Sequence, residues 1–288
     1  MGILNHILNI IFPAVCRQCG GSVSSDAPTA YFCKRCWDAI KWFDGPCCAR
    51  CGVPYPLMSP VSPENPRSNP PLPPFSKGGE TNIVPPFFTP GHLCGACRKN
   101  PPCFDRAVSA GPYEGTLAEA IKLFKYKKKI HVGRALADGM IASPTPRPNP
   151  PISPFSKGGL RGTACMGRLQ SYYIIPVPLH LSRLREREFN QSAILALVIG
   201  ERLGIPVLTD ILLRERHTRP QVELDMKERK KNVVGAFSVQ NEELIIDKDI
   251  ILVDDVYTTG STVNECAKSL KKNGAGMVYV VTIARMVG

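Results

Sequence analysis

The chain has 288 residues, 43% of them hydrophobic, with 36 Lys and Arg against 24 Asp and Glu. That length exceeds one small domain and suits two, and the apolar share is enough to bury a core. A net charge of +12 excludes an acidic disordered chain and favours anionic partners such as phosphates or nucleic acid.

The amino-terminal stretch MGILNHILNIIFP is apolar but has no basic front, and no small-residue cleavage site follows before Cys16, so it does not read as a signal peptide. His6 breaks the myristoylation pattern. Ile3, Leu4, Ile7, Leu8 and Ile11 fall on one face of a short amphipathic helix. No apolar run reaches the ~18 residues of a membrane-spanning helix. Without an export signal the expected compartment is the cytoplasm, where thiols stay reduced.

Ten of the twelve cysteines lie before residue 104, and eight of them form CxxC pairs: Cys16/Cys19, Cys33/Cys36, Cys48/Cys51 and Cys94/Cys97. Two intervening residues let a tight knuckle aim both sulfurs at one ion, and two knuckles supply the four-thiolate shell that zinc prefers. Gly20 and Gly52 follow the second Cys of their pairs, where a knuckle needs a permissive backbone. The spacing predicts about two structural, closed zinc sites over residues 1–103. A disulfide framework is the alternative, disfavoured by a reducing compartment. Which knuckles pair is open, and Cys47 can replace Cys48 by a slip of one residue. Cys103, Cys165 and Cys266 read as spare or buried thiols.

Residues 69–79 (NPPLPPFSKGG) and 149–159 (NPPISPFSKGG) nearly repeat. Twelve of the 28 prolines fall in 54–90 and six in 144–154, too many for helix or interior strand. We read 57–89 and 143–165 as insertions that surface loops tolerate. Removing the first restores a ribbon-like spacing between Cys51 and Cys94.

From Phe104 the pattern changes to alternating strands and helices over 104–288. Strands are predicted at 104–111, 172–177, 250–253 and 277–283, and helices at 115–129, 189–203 (ended by Gly204) and 261–272. Short, wholly apolar strands between helices predict a doubly wound α/β parallel sheet, with ligands at the carboxyl ends of its strands.

The segment from Ile250 to Thr262, IILVDDVYTTGST, carries the most chemistry. A buried strand delivers Asp254 and Asp255 to its end. A loop with Thr258, Thr259, Gly260, Ser261 and Thr262 then opens a helix. Loop amides and a helix start form a concavity that fits a phosphate, and Gly260 lets the backbone approach closely. Carboxylates beside a phosphate cradle make sense if they hold sugar hydroxyls or Mg2+. A ribose 5-phosphate satisfies both halves. Simple helix capping by Asp, Thr and Ser explains one or two of these residues, not six at one strand end.

This segment resembles the phosphoribosyl-pyrophosphate signature of type I phosphoribosyltransferases. Together with the CxxC region, the chain resembles the ComF family, in which a zinc-ribbon region precedes a phosphoribosyltransferase-like domain linked to bacterial competence for DNA uptake. Matching stretches include Phe124-Lys125-Tyr126, Pro176-Val177-Pro178-Leu179, Phe189-Asn190-Gln191, Thr218 with Gln221, and Arg229 with Asn232. Glu188 departs from the family, which usually has Gly there. The resemblance implies that Asp254 and Asp255 hold the ribose hydroxyls, with Mg2+ bridging to pyrophosphate. It also implies that Thr258–Thr262 take the 5-phosphate, and that the loop of Val177, Pro178, Leu179 and His180 meets the pyrophosphate. Arg183, Arg185 and Arg187 are then candidates to neutralise it, or else form a solvated face paired with Glu186 and Glu188. The implied reaction displaces pyrophosphate with a nitrogen nucleophile of unknown identity, by positioning and charge stabilisation.

Residues 122–134 hold five lysines and one arginine with no acid. Lys125, Tyr126, Lys127 and Lys128 are candidates for single-stranded DNA, by charge and by stacking on the tyrosine. A non-catalytic DNA-binding protein of the competence machinery is thus the alternative to an enzyme.

Overall fold

A computed structural model describes residues 14–55, 92–127, 129–143, 172–216 and 233–287. The expected amino-terminal helix, the proline-rich insertions (57–89 and, except Ser143, 143–165), Lys128, Cys165, His217, Thr218, Gln221, Arg229 and Asn232 lie outside the described residues.

Four strands run parallel: β1 (Arg106–Pro112), β2 (Tyr172–Pro176), β5 (Asp249–Tyr257) and β6 (Val278–Arg285), in the order β1-β6-β5-β2. A separate antiparallel pair, β3 (Leu212–Arg214) and β4 (Phe237–Val239), lies outside this sheet. Side chains alternate across the sheet because successive Cβ atoms of a strand point to opposite faces. On β5, Ile250 and Leu252 enter one core, while Val253 and Ile251 face the other. The Val253 side is covered by α3 (Gly115–Tyr126), α4 (Ile130–Ala142) and α6 (Gln191–Leu203), through Ile121, Phe124, Leu136 and Leu195. The Leu252 side is covered by α7 (Ser261–Lys272), through Val263, Ala267 and Leu270. Both faces of the parallel sheet are therefore buried, as its apolar strands demand.

The cysteine-rich region, with its short helices α1 (Lys34–Asp38) and α2 (Gly95–Lys99), straddles the sheet. Phe32, Trp37 and Ile40 join the first core, whereas Cys48, Cys51 and Cys97 join the second. Residues 43–50 connect the two along the outer edge of β1. There the Phe43 N–H donates to the Ala110 carbonyl, and the Ala107 N–H donates to the Arg50 carbonyl, each at 2.8 Å. An edge strand otherwise open to pairing is thus covered.

Several elements differ from the sequence expectation. The helix expected over 115–129 ends at Tyr126, and α4 follows as a separate helix. Consecutive lysines interrupt the apolar stripe there, and a second stripe of Val132, Leu136 and Met140 begins after them. The strand expected at 250–253 extends to Tyr257, so the two acids are strand residues rather than turn residues. Helix α5 (Leu181–Arg187) and the β3–β4 pair were not predicted, because seven residues with no buried member and two three-residue strands carry little periodicity. Helix α6 begins at Gln191 because Asn190 caps it, its Oδ1 accepting from the Ser192 N–H at 3.0 Å, and it ends at Gly204 with φ 66°.

Candidate active site and metal centres

The carboxyl ends of all four parallel strands open on one cavity of about 830 Å3. Asp254 and Asp255 reach it from β5. The Asp254 carboxylate accepts from the Ser192 hydroxyl at 3.0 Å and from the Asp255 N–H at 2.9 Å. Burial and the neighbouring Asp255 nevertheless push its pKa up to about 7. Lys125, from α3, places Nζ 2.8 Å from Asp255 Oδ1. Burial pulls the lysine's pKa down, but the two carboxylates outweigh that and hold it above its ordinary value.

Thr258, Gly260 and Thr262 line the cavity directly. Gly260 has φ 76°, and a Cβ there would lie 2.2 Å from the Tyr257 hydroxyl, so both conformation and space require glycine. Thr259 and Ser261 act one step back. Their hydroxyls are 2.9 Å apart, and Thr259 Oγ1 accepts from the Ser261 N–H at 3.3 Å, shaping the loop where α7 begins.

Val177, Pro178, Leu179 and His180, which follow β2, also line the cavity. The Asn190 side-chain amide donates to the Val177 carbonyl at 3.0 Å, tying this loop to the start of α6. His180 caps α5, its Nδ1 accepting from the Ser182 N–H at 3.2 Å. Arg183 and Arg187 line the cavity, whereas Arg185 is exposed and does not. At the end of α5, Glu188 adopts φ 69°, the left-handed conformation that glycine takes without strain.

The proposed DNA cluster is divided. Lys125 is not on an open face: it sits in the cleft, paired with Asp255. Tyr126 is 56% exposed with the Arg187 guanidinium 5.2 Å from its ring centroid, and Lys127 lies on the cavity rim. Sequence reasoning missed Ser192, Arg214 and Arg17 as cavity residues. Ser192 had a signal, since it directly follows Phe-Asn-Gln. Arg17, inside the first CxxC knuckle, had none before the knuckle was placed beside the cleft.

The thiols form two sets. The sulfurs of Cys16, Cys19, Cys33 and Cys36 lie within 4.8 Å of one another, as do those of Cys48, Cys51, Cys94 and Cys97. A tetrahedral ion with sulfur at ~2.3 Å sets sulfurs about 3.8 Å apart. Cys19 to Cys33 is 3.8 Å and Cys51 to Cys94 is 3.7 Å, so the donor sets fit zinc. The pairing left open by the sequence is first with second and third with fourth, and Cys48, not Cys47, is the ligand. All described cysteines are free thiols, and Cys266 lies on the buried face of α7. Burial opposes ionisation of Cys16 and Cys48, but backbone N–H groups aimed at each sulfur bring its pKa down to about 6. In the first set the Gly21 N–H also lowers Cys19 while burial raises Cys36, and in the second set burial raises Cys51 and Cys97.

Comparison with known proteins agrees with both halves. The double zinc ribbon domain family matches residues 7–66, and the phosphoribosyl transferase domain family matches residues 191–286. Competence protein F of Haemophilus influenzae is 33% identical over 194 residues, covering 67% of this chain and 78% of that protein. DNA utilization protein YhgH of Escherichia coli K12 is 30% identical over 198 residues, covering 68% and 80%. Competence protein ComFC of Streptococcus pneumoniae is 32% identical over 118 residues, covering 41% and 50%. Among the described residues no helix is long and apolar enough to cross a membrane.

Proposed function

Since the chain belongs to the family of competence protein F and DNA utilization protein YhgH, we propose that it binds phosphoribosyl pyrophosphate with Mg2+ and transfers phosphoribosyl groups in the service of DNA uptake or use. The observation that carries this reading is one cleft holding both an acid pair and an anion cradle. Asp254 and Asp255 line the same cavity as Thr258, Gly260 and Thr262, at the strand ends of a parallel sheet. Asp254 and Asp255 would hold the ribose hydroxyls and Mg2+, which would offset the charge of the leaving pyrophosphate. The loop amides and hydroxyls of 258–262 would seat the 5-phosphate. Arg183 and Arg187, beside the Val177–His180 loop, would meet the pyrophosphate. Cleavage of the C–O bond builds positive charge on the sugar, which the adjacent carboxylates stabilise. No covalent nucleophile is required. The cysteine-rich residues 1–103 would serve as a zinc-held unit beside the catalytic residues 104–288.

Calorimetry with phosphoribosyl pyrophosphate and Mg2+ tests the reading. Binding should be measurable for the native chain and lost in Asp254→Asn/Asp255→Asn that retains its circular dichroism; equal affinity in the double variant overturns it. A pyrophosphate-release screen over nitrogenous acceptors then separates an enzyme from a binding protein.

A DNA-binding role has a narrower basis. Arg17, Lys122 and Lys127 ring the cleft mouth beside the exposed Tyr126, and relatives are named for competence and DNA utilization. Charge reversal at Lys122 and Lys127 should reduce the salt dependence of single-stranded DNA binding; an unchanged slope excludes that rim as the contact.

A further inference from the structure

Within the phosphate-loop reading above, on which this inference rests, we propose that Arg285 and Tyr257 are positioning residues that tie the second cysteine set to the anion loop, so that zinc binding and sugar-phosphate binding favour one another. The link is a continuous run of buried contacts. Arg285, at the end of β6, is only 5% exposed. Its Nη1 donates to the carbonyl of Cys51 at 2.5 Å. Its guanidinium carbon lies 4.1 Å from the centroid of the Tyr257 ring. Tyr257 closes β5, is 7% exposed, and meets Phe104 edge-to-face at 6.4 Å. Its hydroxyl sits where a Cβ on Gly260 would have to go. At the other end of the run, Gly52 presses the knuckle against β1, a Cβ there falling 2.2 Å from the Ala107 carbonyl. Neither contact leaves slack, so a displaced knuckle and a displaced loop share the same side chains.

Charge gives the coupling its direction. Among the described residues no carboxylate lies within ion-pair distance of Arg285. A four-thiolate zinc centre carries a net charge of about −2. Bound zinc therefore supplies a buried anion beside a buried cation and holds Arg285 against the Cys51 carbonyl and the Tyr257 ring. Without zinc the set carries less negative charge beside Arg285. Tyr257 then loses the cation stacked on it, and with it the fixed position under Gly260.

Because coupling between two binding events is reciprocal, the test reads both directions. Zinc release from the native full chain to a colorimetric chelator is timed with and without ribose 5-phosphate. Its affinity for ribose 5-phosphate is measured by calorimetry. We expect ribose 5-phosphate to slow release of one of the two zinc equivalents about fivefold or more, and to leave the other unchanged. In Arg285→Met that protection should vanish and ribose 5-phosphate affinity should fall about tenfold. Tyr257→Phe, which removes only the hydroxyl under the loop, should keep both zinc ions and lose a smaller part of the affinity. If Arg285→Met does not fold by circular dichroism, Tyr257→Phe and the native protection decide. Ribose 5-phosphate that binds the native chain but protects neither zinc equivalent overturns the coupling. Ribose 5-phosphate that does not bind the native chain at all overturns the phosphate-loop reading instead.

Discussion

Lys125 Nζ lies 2.8 Å from Asp255 Oδ1, with side chains 16% and 12% exposed. A lysine on the last turn of α3 thereby meets an acid on β5 at the centre of the cleft. The adjacent Asp254, crowded by burial and by Asp255, is stabilised by the same cation. A charge that reads in the sequence as surface is thus the counter-ion of the acid pair.

Removing that cation leaves Asp255 without its ion-pair partner beside Asp254. Lys125→Met should destabilise the fold by about 3 kcal/mol near neutral pH, the scale of breaking a largely buried pair. The loss should shrink toward pH 4, where protonation relieves the repulsion. Urea unfolding at the two pH values measures both, and an equal loss at each contradicts the assignment.

If the cleft binds phosphoribosyl pyrophosphate as proposed, the raised pKa of Asp254 predicts a pH-dependent affinity. Its carboxyl is raised from 3.8 to about 7, so the fold favours the neutral acid. The stability it contributes is full below the unfolded value and declines as pH rises toward about 7. Holding Mg2+ or sugar hydroxyls requires the carboxylate. Phosphoribosyl pyrophosphate affinity should therefore rise with pH through about 7, falling roughly tenfold per unit below it. Asp254→Asn should be more stable than the native chain near pH 8 and bind no tighter at any pH.

Glu188 sits at φ 69°, where an L-residue is strained by ~1–2 kcal/mol and glycine pays a smaller entropic cost. Glu188→Gly should stabilise the protein by about 0.5–1 kcal/mol, seen as a higher urea midpoint at constant slope. A lower midpoint would mean that side-chain contacts of Glu188 outweigh the backbone strain.

Gly260 fails any larger residue twice, by φ and by the Tyr257 hydroxyl. Gly260→Ala should cost about 2 kcal/mol or more in stability. It should also weaken ribose 5-phosphate binding beyond calorimetric detection. Tyr257→Phe in the same chain removes the hydroxyl but leaves the ring carbon Cζ 2.4 Å from that Cβ and φ unchanged, so it should restore little of the stability.

The zinc centres respond to pH in the opposite sense to Asp254. In Cys16 and Cys48 the thiol is lowered from 9.0 to about 6. Zinc binds the thiolate forms, so acid that protonates the sulfurs releases the ion. Metal analysis near pH 7.5 should find two zinc ions per chain, and dialysis near pH 5 should remove them together with α1 and α2.

The parallel sheet, α7, the four knuckles and the strand-to-helix segment from Asp254 to Thr262 were legible in the sequence because each is written locally. Apolar runs of strand length, CxxC spacing and a hydroxyl-rich helix start need no distant partner to be recognised. The role of Lys125, the contribution of Ser192 and Arg17 to the cleft, the pairing of the knuckles and the Arg285–Tyr257 link were decided only by tertiary structure. Each joins residues far apart in the chain, from 51 with 285 to 125 with 255. Such contacts depend on which strand ends and helix faces the sheet order β1-β6-β5-β2 brings together. Hydrophobic periodicity states which face of an element is buried. It carries no record of the partner that buries it, and that partner fixes whether a lysine faces water or a carboxylate.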